Sequence, residues 1–498
     1  MIKNIFANYI GKVWGFVSVY VFIPLYIKYL GIEAYGIINF YTVLMTLLLF
    51  ADAGLSETLG REFARSSEDK VYCRNLLYSI ERLYLVITLS IMAALFFFAP
   101  HIADNWLHSH IIPKEKICLC LRLMGVSIAF QFFSTLHNSG LMGLQKQVIA
   151  NTIQISWSAF RSGLVVAALL FSPDLLTFFY WQIGSNILFF FINRYQLWKQ
   201  IKFESSPVFD KEILKNIGKF ALGMMLMAVV AALNGQLDKL VVSKYLSLKQ
   251  FSYYALGGNL AQMPVMLISP ITLAVLPIIN KIVHLGSKEE LKNVFHQYAF
   301  IITFLSSLFG STLFFYAKNL ALIWTGNIEI ATNIEGVTKI LALASIFLAI
   351  QYMPYLLAIA NGHTRTNLLL GIICIILLLP LLYFFINAFG LIGAACPSLI
   401  LNAFIFIVLG YFIINRFLKG AYNSWLLKDV ALPCIINFGV VLLIYQLTNS
   451  IRRPYNLLVA IPASGLCCSL LNFYIFGKIF PDNHINKTVN RILKIRIA

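Results

Sequence analysis

Charge is what this 498-residue chain has least of: 12% of its residues are Asp, Glu, Lys or Arg, against about 25% in a soluble domain. That is too little to cover a soluble enzyme of this length with a hydrated surface. Acidic residues are scarcer still, 20 against 38 Lys and Arg, for a net charge of +18. The eight cysteines lie mostly in apolar runs; Cys118 and Cys120 are two apart, and Cys467 and Cys468 are adjacent. These spacings exclude a paired zinc site and a secreted disulfide framework, and fit small apolar filler. The sequence lacks a phosphate-binding loop, a dinucleotide fingerprint and a nucleophile elbow. No cofactor is implied, and ATP hydrolysis within the chain is not expected.

What the sequence has is apolar length. Hydrophobic residues make up 60% of it, and mean hydropathy is +0.81. A spanning helix needs about 20 apolar residues. Such runs fall at 9–30, 36–56, 83–103, 117–140, 150–172, 175–197, 215–236, 251–275, 298–323, 338–361, 368–388, 391–415, 429–449 and 455–477. The reading is an all-α polytopic membrane protein of about 14 transmembrane helices. The first run continues past Pro24 with no small-residue cleavage signal, so it reads as a retained span rather than a signal peptide. The run at 251–275 carries Pro264 and Pro270, which spanning helices tolerate where neighbours satisfy the freed backbone groups.

The basic residues sit in short loops, so the positive charge reads as membrane orientation and not as nucleic-acid binding. Loops on the side of the N-terminus hold 26 of them and the opposite side 10, while Arg122 and Arg161 fall inside spans. Both termini are therefore expected in the cytoplasm. The loop at 104–116 is the longest on the outside. The cytoplasmic stretches 57–82 and 276–297 are amphipathic and basic; they read either as helices lying along the headgroups or as solvated connectors.

An internal repeat runs through the chain. Tyr29-Leu30-Gly31-Ile32 matches Tyr245-Leu246-Ser247-Leu248, Ser67-Glu68-Asp69-Lys70 matches Ser287-Lys288-Glu289-Glu290, and Gly143-Leu144-Gln145 matches Gly362-His363-Thr364, at offsets of 216, 220 and 219. Six helices separate the copies, an even number, so both insert with one orientation. Such repeats are related by a pseudo-two-fold axis along the membrane normal. The expected organisation is a six-helix lobe over 1–200, a second over 201–415, and two additional helices with a basic tail over 416–498.

The stretches YLGIEAYGIINF (29–40), DAGLSETLGREFAR (52–65) and LDKLVVSKYLSLKQFSYYALGGNLAQMPVMLISPITLAVLPIINK (237–281) resemble the polysaccharide-transporter branch of the multidrug/oligosaccharidyl-lipid/polysaccharide exporters. Within it the chain is similar to Wzx-type O-antigen flippases. The resemblance implies a lipopolysaccharide or other surface-polysaccharide pathway in the bacterial inner membrane. It implies translocation of undecaprenyl-pyrophosphate-linked oligosaccharide to the outer leaflet, by alternating access through a cationic central cavity. Membrane lipid, a polysaccharide polymerase and a chain-length regulator are the implied partners.

Arg161 is the most informative single residue. A mid-membrane arginine costs at least about 2.5–3.5 kcal/mol on insertion scales, so it faces a bundle interior or a wet cavity. Asn151, Gln154, Ser158, Arg161 and Ser162 share one helical face. The preceding helix offers Ser127, Gln131, Ser134 and Asn138, and the next offers Gln182, Asn186 and Asn193. Guanidinium donors match phosphate oxygens in pairs, while amides and hydroxyls suit sugars. Arg122 and Lys219 would extend the positive path; Lys219 also reads as a snorkelling lysine. The alternative for Arg161 is a helix-holding bond to a carbonyl or a buried carboxylate. Asp52, Glu57 and Asp238 are candidates for a coupling ion; each lies near a helix end, where capping or an ion pair (Asp238 with Lys239) is the competing role. His137 reads as an ordinary polar interface residue. Two other functions compete. A small-molecule or multidrug exporter of the same superfamily would want an acidic or aromatic cavity, which Arg161 opposes. A membrane-embedded glycosyltransferase or polymerase would want a sizeable extramembrane domain, which the loops do not provide.

Overall fold

The computed structural model describes Trp14, Ser18 and residues 20–52, 54–202, 206–449 and 456–480. Apart from one isolated bridge between His108 and Ser247, the regular structure among these residues is helical. Among the described residues thirteen helices are long and apolar enough to cross a membrane, and a shorter apolar helix, α1 (Tyr20–Leu30), precedes them. The start of the expected first span, 9–13, lies outside the described residues. Large apolar side chains point outward, Phe171 at 92% exposure and Phe97 at 76%. Such a surface needs lipid as its solvent.

The chain forms two compact units, residues 1–255 and 256–498. In the first, α2 (Ile32–Leu48) ends in a 3-10 turn (Leu49–Asp52), and α3 (Leu55–Arg65) follows. Then come α4 (Lys70–Asn105), α5 (Lys114–Gly143), α6 (Gln147–Phe171), α7 (Leu175–Gln200) and α8 (Lys211–Tyr245). Helix α9 (Leu248–Ala261) follows. The second unit continues with α10 (Met263–Leu285), α11 (Lys288–Thr325), α12 (Ile328–Ala360), α13 (Thr364–Gly393), α14 (Cys396–Phe417), α15 (Tyr422–Thr448) and α16 (Asn456–Ile479).

The expected single span 251–275 is broken between Ala261 and Met263. Pro264 stands just after the break, where its missing N–H costs nothing. Apart from the short turns at 66–69 and 286–287, the stretches 57–82 and 276–297 are helical and run on into the spanning helices. All three repeat-matched segments are helix junctions in both copies. Gln145 takes a left-handed φ of 59° at one junction, and Gly362 takes 68° at the other.

Close helix contact in the first unit depends on glycine. A Cβ on Gly143 would lie 2.3 Å from the carbonyl oxygen of Gly60, so α5 can meet α3 this closely only where both side chains are absent. In the second unit Gly410 opens a slot for the fully buried Trp425, whose ring a Cβ would meet at 2.8 Å.

Candidate functional site

Helix α6 is not regular. Its turn Ala159–Gly163 is π-helical, with the Leu164 N–H reaching back to the Ala159 carbonyl. A widened turn leaves carbonyls without their usual helical donors, and such bulges cluster at functional positions. Three side chains satisfy them here. The Trp181 indole N–H donates to the Phe160 carbonyl at 3.1 Å, Gln182 Nε2 to the Arg161 carbonyl at 3.4 Å, and the Tyr26 hydroxyl to the Ser162 carbonyl at 2.6 Å. The sequence pattern placed Arg161 on a polar stripe; the donors that hold the bulge bearing it come from other helices.

The Arg161 guanidinium donates from Nη1 to Gln131 Oε1 at 3.0 Å. It also lies 4.6 Å from the centre of the Trp157 ring and 5.9 Å from that of Tyr41, a cation–π arrangement. Its Nε is buried with no hydrogen-bond partner. Trp157 is itself fixed: its indole N–H donates to Asn186 Oδ1 at 3.0 Å, and Asn186 Nδ2 donates to the carbonyl and hydroxyl oxygens of Ser127. A cavity of about 180 Å³ opens beside this assembly, lined by Gln131, Ser134, Thr135, Asn138, Gln154, Trp157 and Asn193. Ser134 Oγ, Asn138 Oδ1 and Asn193 Oδ1 are buried in it without hydrogen-bond partners, free to receive hydroxyl or amide protons.

Of the residues singled out in sequence, Gln131, Ser134, Asn138, Gln154 and Asn193 line this cavity, and Arg161 is joined to it through Gln131. Ser158 precedes the π turn and is not among the lining residues. Arg122 stands elsewhere on α5, its guanidinium 4.4 Å from the Phe96 ring centre. The Lys219 side chain lies outside the described residues. Asp52 accepts from the Ser56 backbone N–H at 3.2 Å and from its hydroxyl at 2.7 Å, capping the start of α3. Glu57 is exposed. Asp238 accepts from the Tyr254 hydroxyl at 2.7 Å.

Sequence reasoning missed Trp157, whose role depends on its neighbours, and it missed Glu81. Glu81 Oε1 accepts from His137 Nε2 at 2.7 Å, Arg194 Nε at 3.1 Å and Trp198 Nε1 at 2.9 Å; Oε2 accepts from Arg194 Nη2 at 3.1 Å. His137, read as an ordinary interface residue, is thus bonded to a carboxylate. Its Nδ1 faces the Phe133 carbonyl at 2.5 Å, so both ring nitrogens face acceptors, an arrangement an imidazolium satisfies. A carboxylate just ahead of an apolar run was the available signal, but nothing local names partners 56 to 117 residues away.

The 104–116 loop is also held in place. The buried Glu33 carboxylate accepts from the Ser109 hydroxyl at 2.5 Å and the Ile111 N–H at 3.2 Å. The Leu248 N–H donates to the His108 carbonyl at 2.7 Å.

Residues 1–283 match the model of a family described as polysaccharide biosynthesis protein. No curated protein matches the sequence. Among solved structures, the chain is similar to a lipid II flippase, MurJ, in an inward closed conformation: TM-score 0.74 at 16% identity, covering 97% of this chain and 99% of that one. It is also similar to an inward-facing multidrug resistance MATE family transporter of the MOP superfamily: TM-score 0.65 at 15% identity, covering 83% and 96%.

Proposed function

This chain belongs to the polysaccharide biosynthesis protein family, and we propose that it is a flippase for undecaprenyl-pyrophosphate-linked oligosaccharide in the bacterial inner membrane. Its fold is the all-helical polytopic membrane fold that it shares with a lipid II flippase and a multidrug transporter. The observation that carries the reading is the pairing of Arg161, with a buried unpartnered Nε, and a cavity whose wall presents unpartnered amide and hydroxyl oxygens. The guanidinium suits a pyrophosphate. The cavity wall suits sugar hydroxyls, and the prenyl tail stays in lipid. Alternating access delivers the headgroup to the outer leaflet for a polymerase and a chain-length regulator to use. A multidrug exporter for organic cations fits less well, since the half-buried charge beside the cavity is positive.

Replacing Arg161 by Ala removes a charge-assisted bond worth roughly 1.5–3 kcal/mol, about ten- to a hundredfold in binding. Surface polysaccharide in a deletion strain carrying the variant should fall accordingly at matched membrane levels, and Lys should restore part of it. Wild-type export by Arg161→Ala and Arg161→Glu would end the reading.

A further inference from the structure

The second unit holds a buried ion-pair candidate that the proposed transport path does not use. On α15, residues Trp425–Ala431 form a π-helical segment, and its Asp429 carboxylate meets His296 Nδ1 of α11. Asp429 is 1% exposed and His296 7%. Trp425 on the same segment is fully buried in the slot left by Gly410, and Phe406 packs on its ring. Two buried polar atoms here have no hydrogen-bond partner: His296 Nε2 and Trp425 Nε1.

The groups that act on Asp429 are His296 from α11 and Lys428 from its own segment. Residues 432–449, which pack against it, carry Cys434 and Tyr445 and no charge, and residues 422–424 carry Tyr422. Lys288, Glu289, Glu290 and Lys292 of α11 and Arg416 of α14 are exposed. One carboxylate and one imidazole therefore face each other in an apolar core with one bond between them. A buried carboxylate and imidazole share protons readily, because neither charge is solvated. With the pair singly negative, the Nδ1–H donates to Asp429 and Nε2 is a bare acceptor; with one proton more, held by either partner across the bond, Nε2 carries an unpaired N–H. Ionisable groups in this position inside spanning helices mark proton relays.

We propose that Asp429 and His296 form a proton-binding site in the second unit, loaded and unloaded through His296 Nε2. Binding changes the charge of this core by one, so conformations that expose Nε2 to water differ in proton affinity from those that bury it. The proposal is independent of the reading of Arg161.

The test counts protons. Full-length protein in lipid nanodiscs is titrated over about pH 5 to 8, the range in which histidine-linked sites change charge, with a pH-indicator dye. Wild type is compared with the double variant Asp429→Asn/His296→Gln, which keeps polar groups of similar shape at both positions. Wild type should take up one proton per chain more than the double variant. Identical uptake overturns the proposal. If the double variant does not fold, the exchanged pair Asp429→His/His296→Asp replaces it: uptake at the wild-type level supports the site, and uptake one proton short overturns it. Failure of both to fold also overturns it, since a pair whose charges are required for folding cannot exchange its proton.

Discussion

Among the described residues each unit holds a carboxylate–histidine pair away from water, and the two are built to opposite specifications. Glu81 in the first unit receives four hydrogen bonds from His137, Arg194 and Trp198, and His137 has an acceptor at each ring nitrogen. Asp429 in the second is bonded by His296, and His296 Nε2 has no hydrogen-bond partner. A fully satisfied buried network locks its helices; a partly satisfied one leaves a reactive atom. The two π-helical segments among the described residues repeat the contrast. The one bearing Arg161 has its carbonyls filled by Tyr26, Trp181 and Gln182, whereas the one bearing Asp429 surrounds an indole N–H that has no acceptor. The Glu81 pair leaves His137 no open ring nitrogen, whereas the Asp429 pair leaves His296 Nε2 open.

The internal repeat predicts two copies inserted the same way, and orientation is all-or-none. Reporters at His110 and at Asn327, which lie at corresponding helix junctions of the two copies, should both lie outside, with the N-terminus inside. Opposite sides for the two reporters would dissolve the parallel repeat and with it any unit-to-unit comparison.

Next in size is the difference between the buried acids. Glu81→Ala leaves Arg194, His137 and Trp198 without their acceptor; since Arg194 is 45% exposed, the cost is at the low end for a buried pair, about 3 kcal/mol. Thermal unfolding in detergent should show Glu81→Ala losing far more stability than Asp429→Asn. Equal losses would erase the distinction between lock and exchangeable site.

A smaller effect separates the repeat-matched glycines. At Gly143 a methyl group meets the Gly60 carbonyl at 2.3 Å, while at Gly362 it meets nothing within 4 Å but must adopt φ of 68°. Gly143→Ala should cost about 1–3 kcal/mol by overpacking and Gly362→Ala about 1–2 kcal/mol from the left-handed backbone. The same unfolding measurement ranks them, and the reverse order would show that α3 and α5 can separate cheaply.

The smallest effect belongs to Asp174, in the turn before α7, which pairs with Lys116 at 2.5 Å. Partial burial pushes this carboxyl up, but the Lys116 ammonium and the backbone N–H groups of Leu175 and Leu176 outweigh it and hold it below its usual value. Folding lowers this pKa, so the stabilisation is complete above the unfolded-state value of about 3.9 and is lost as pH falls through the folded one. Asp174→Asn should cost at most about 1 kcal/mol near neutral pH, and the gap from wild type should close in acid.

Much of the fold is legible in local pattern. Helix positions follow from apolar run length, and the repeat-matched junctions fall where Gly31, Gly143 and Gly362 punctuate those runs. The break at 262 was not legible, because a proline at the first turn of a new helix and a proline inside a continuous one leave the same mark in sequence. The polar stripe led to Gln131, Asn138, Gln154 and Arg161 because helical spacing is local. The same spacing gave no reason to separate Arg122, which stacks on Phe96, or Asp52, whose oxygens are consumed by Ser56.

Composition by itself determined the solvent: 12% charge and 60% hydrophobic residues cannot form a water-covered surface of this length. Run length then determined that helices cross the bilayer, since backbone groups in lipid must be satisfied within the segment. Tertiary structure decided what the buried charges do. Arg161 is held by Gln131, 30 residues away; Glu81 by Trp198, 117 away; and Asp429 by His296, 133 away. Those partners are chosen by how helices are rotated and packed against one another. A rotation of part of a turn exchanges every neighbour a side chain has, while leaving the hydrophobic pattern of the sequence unchanged.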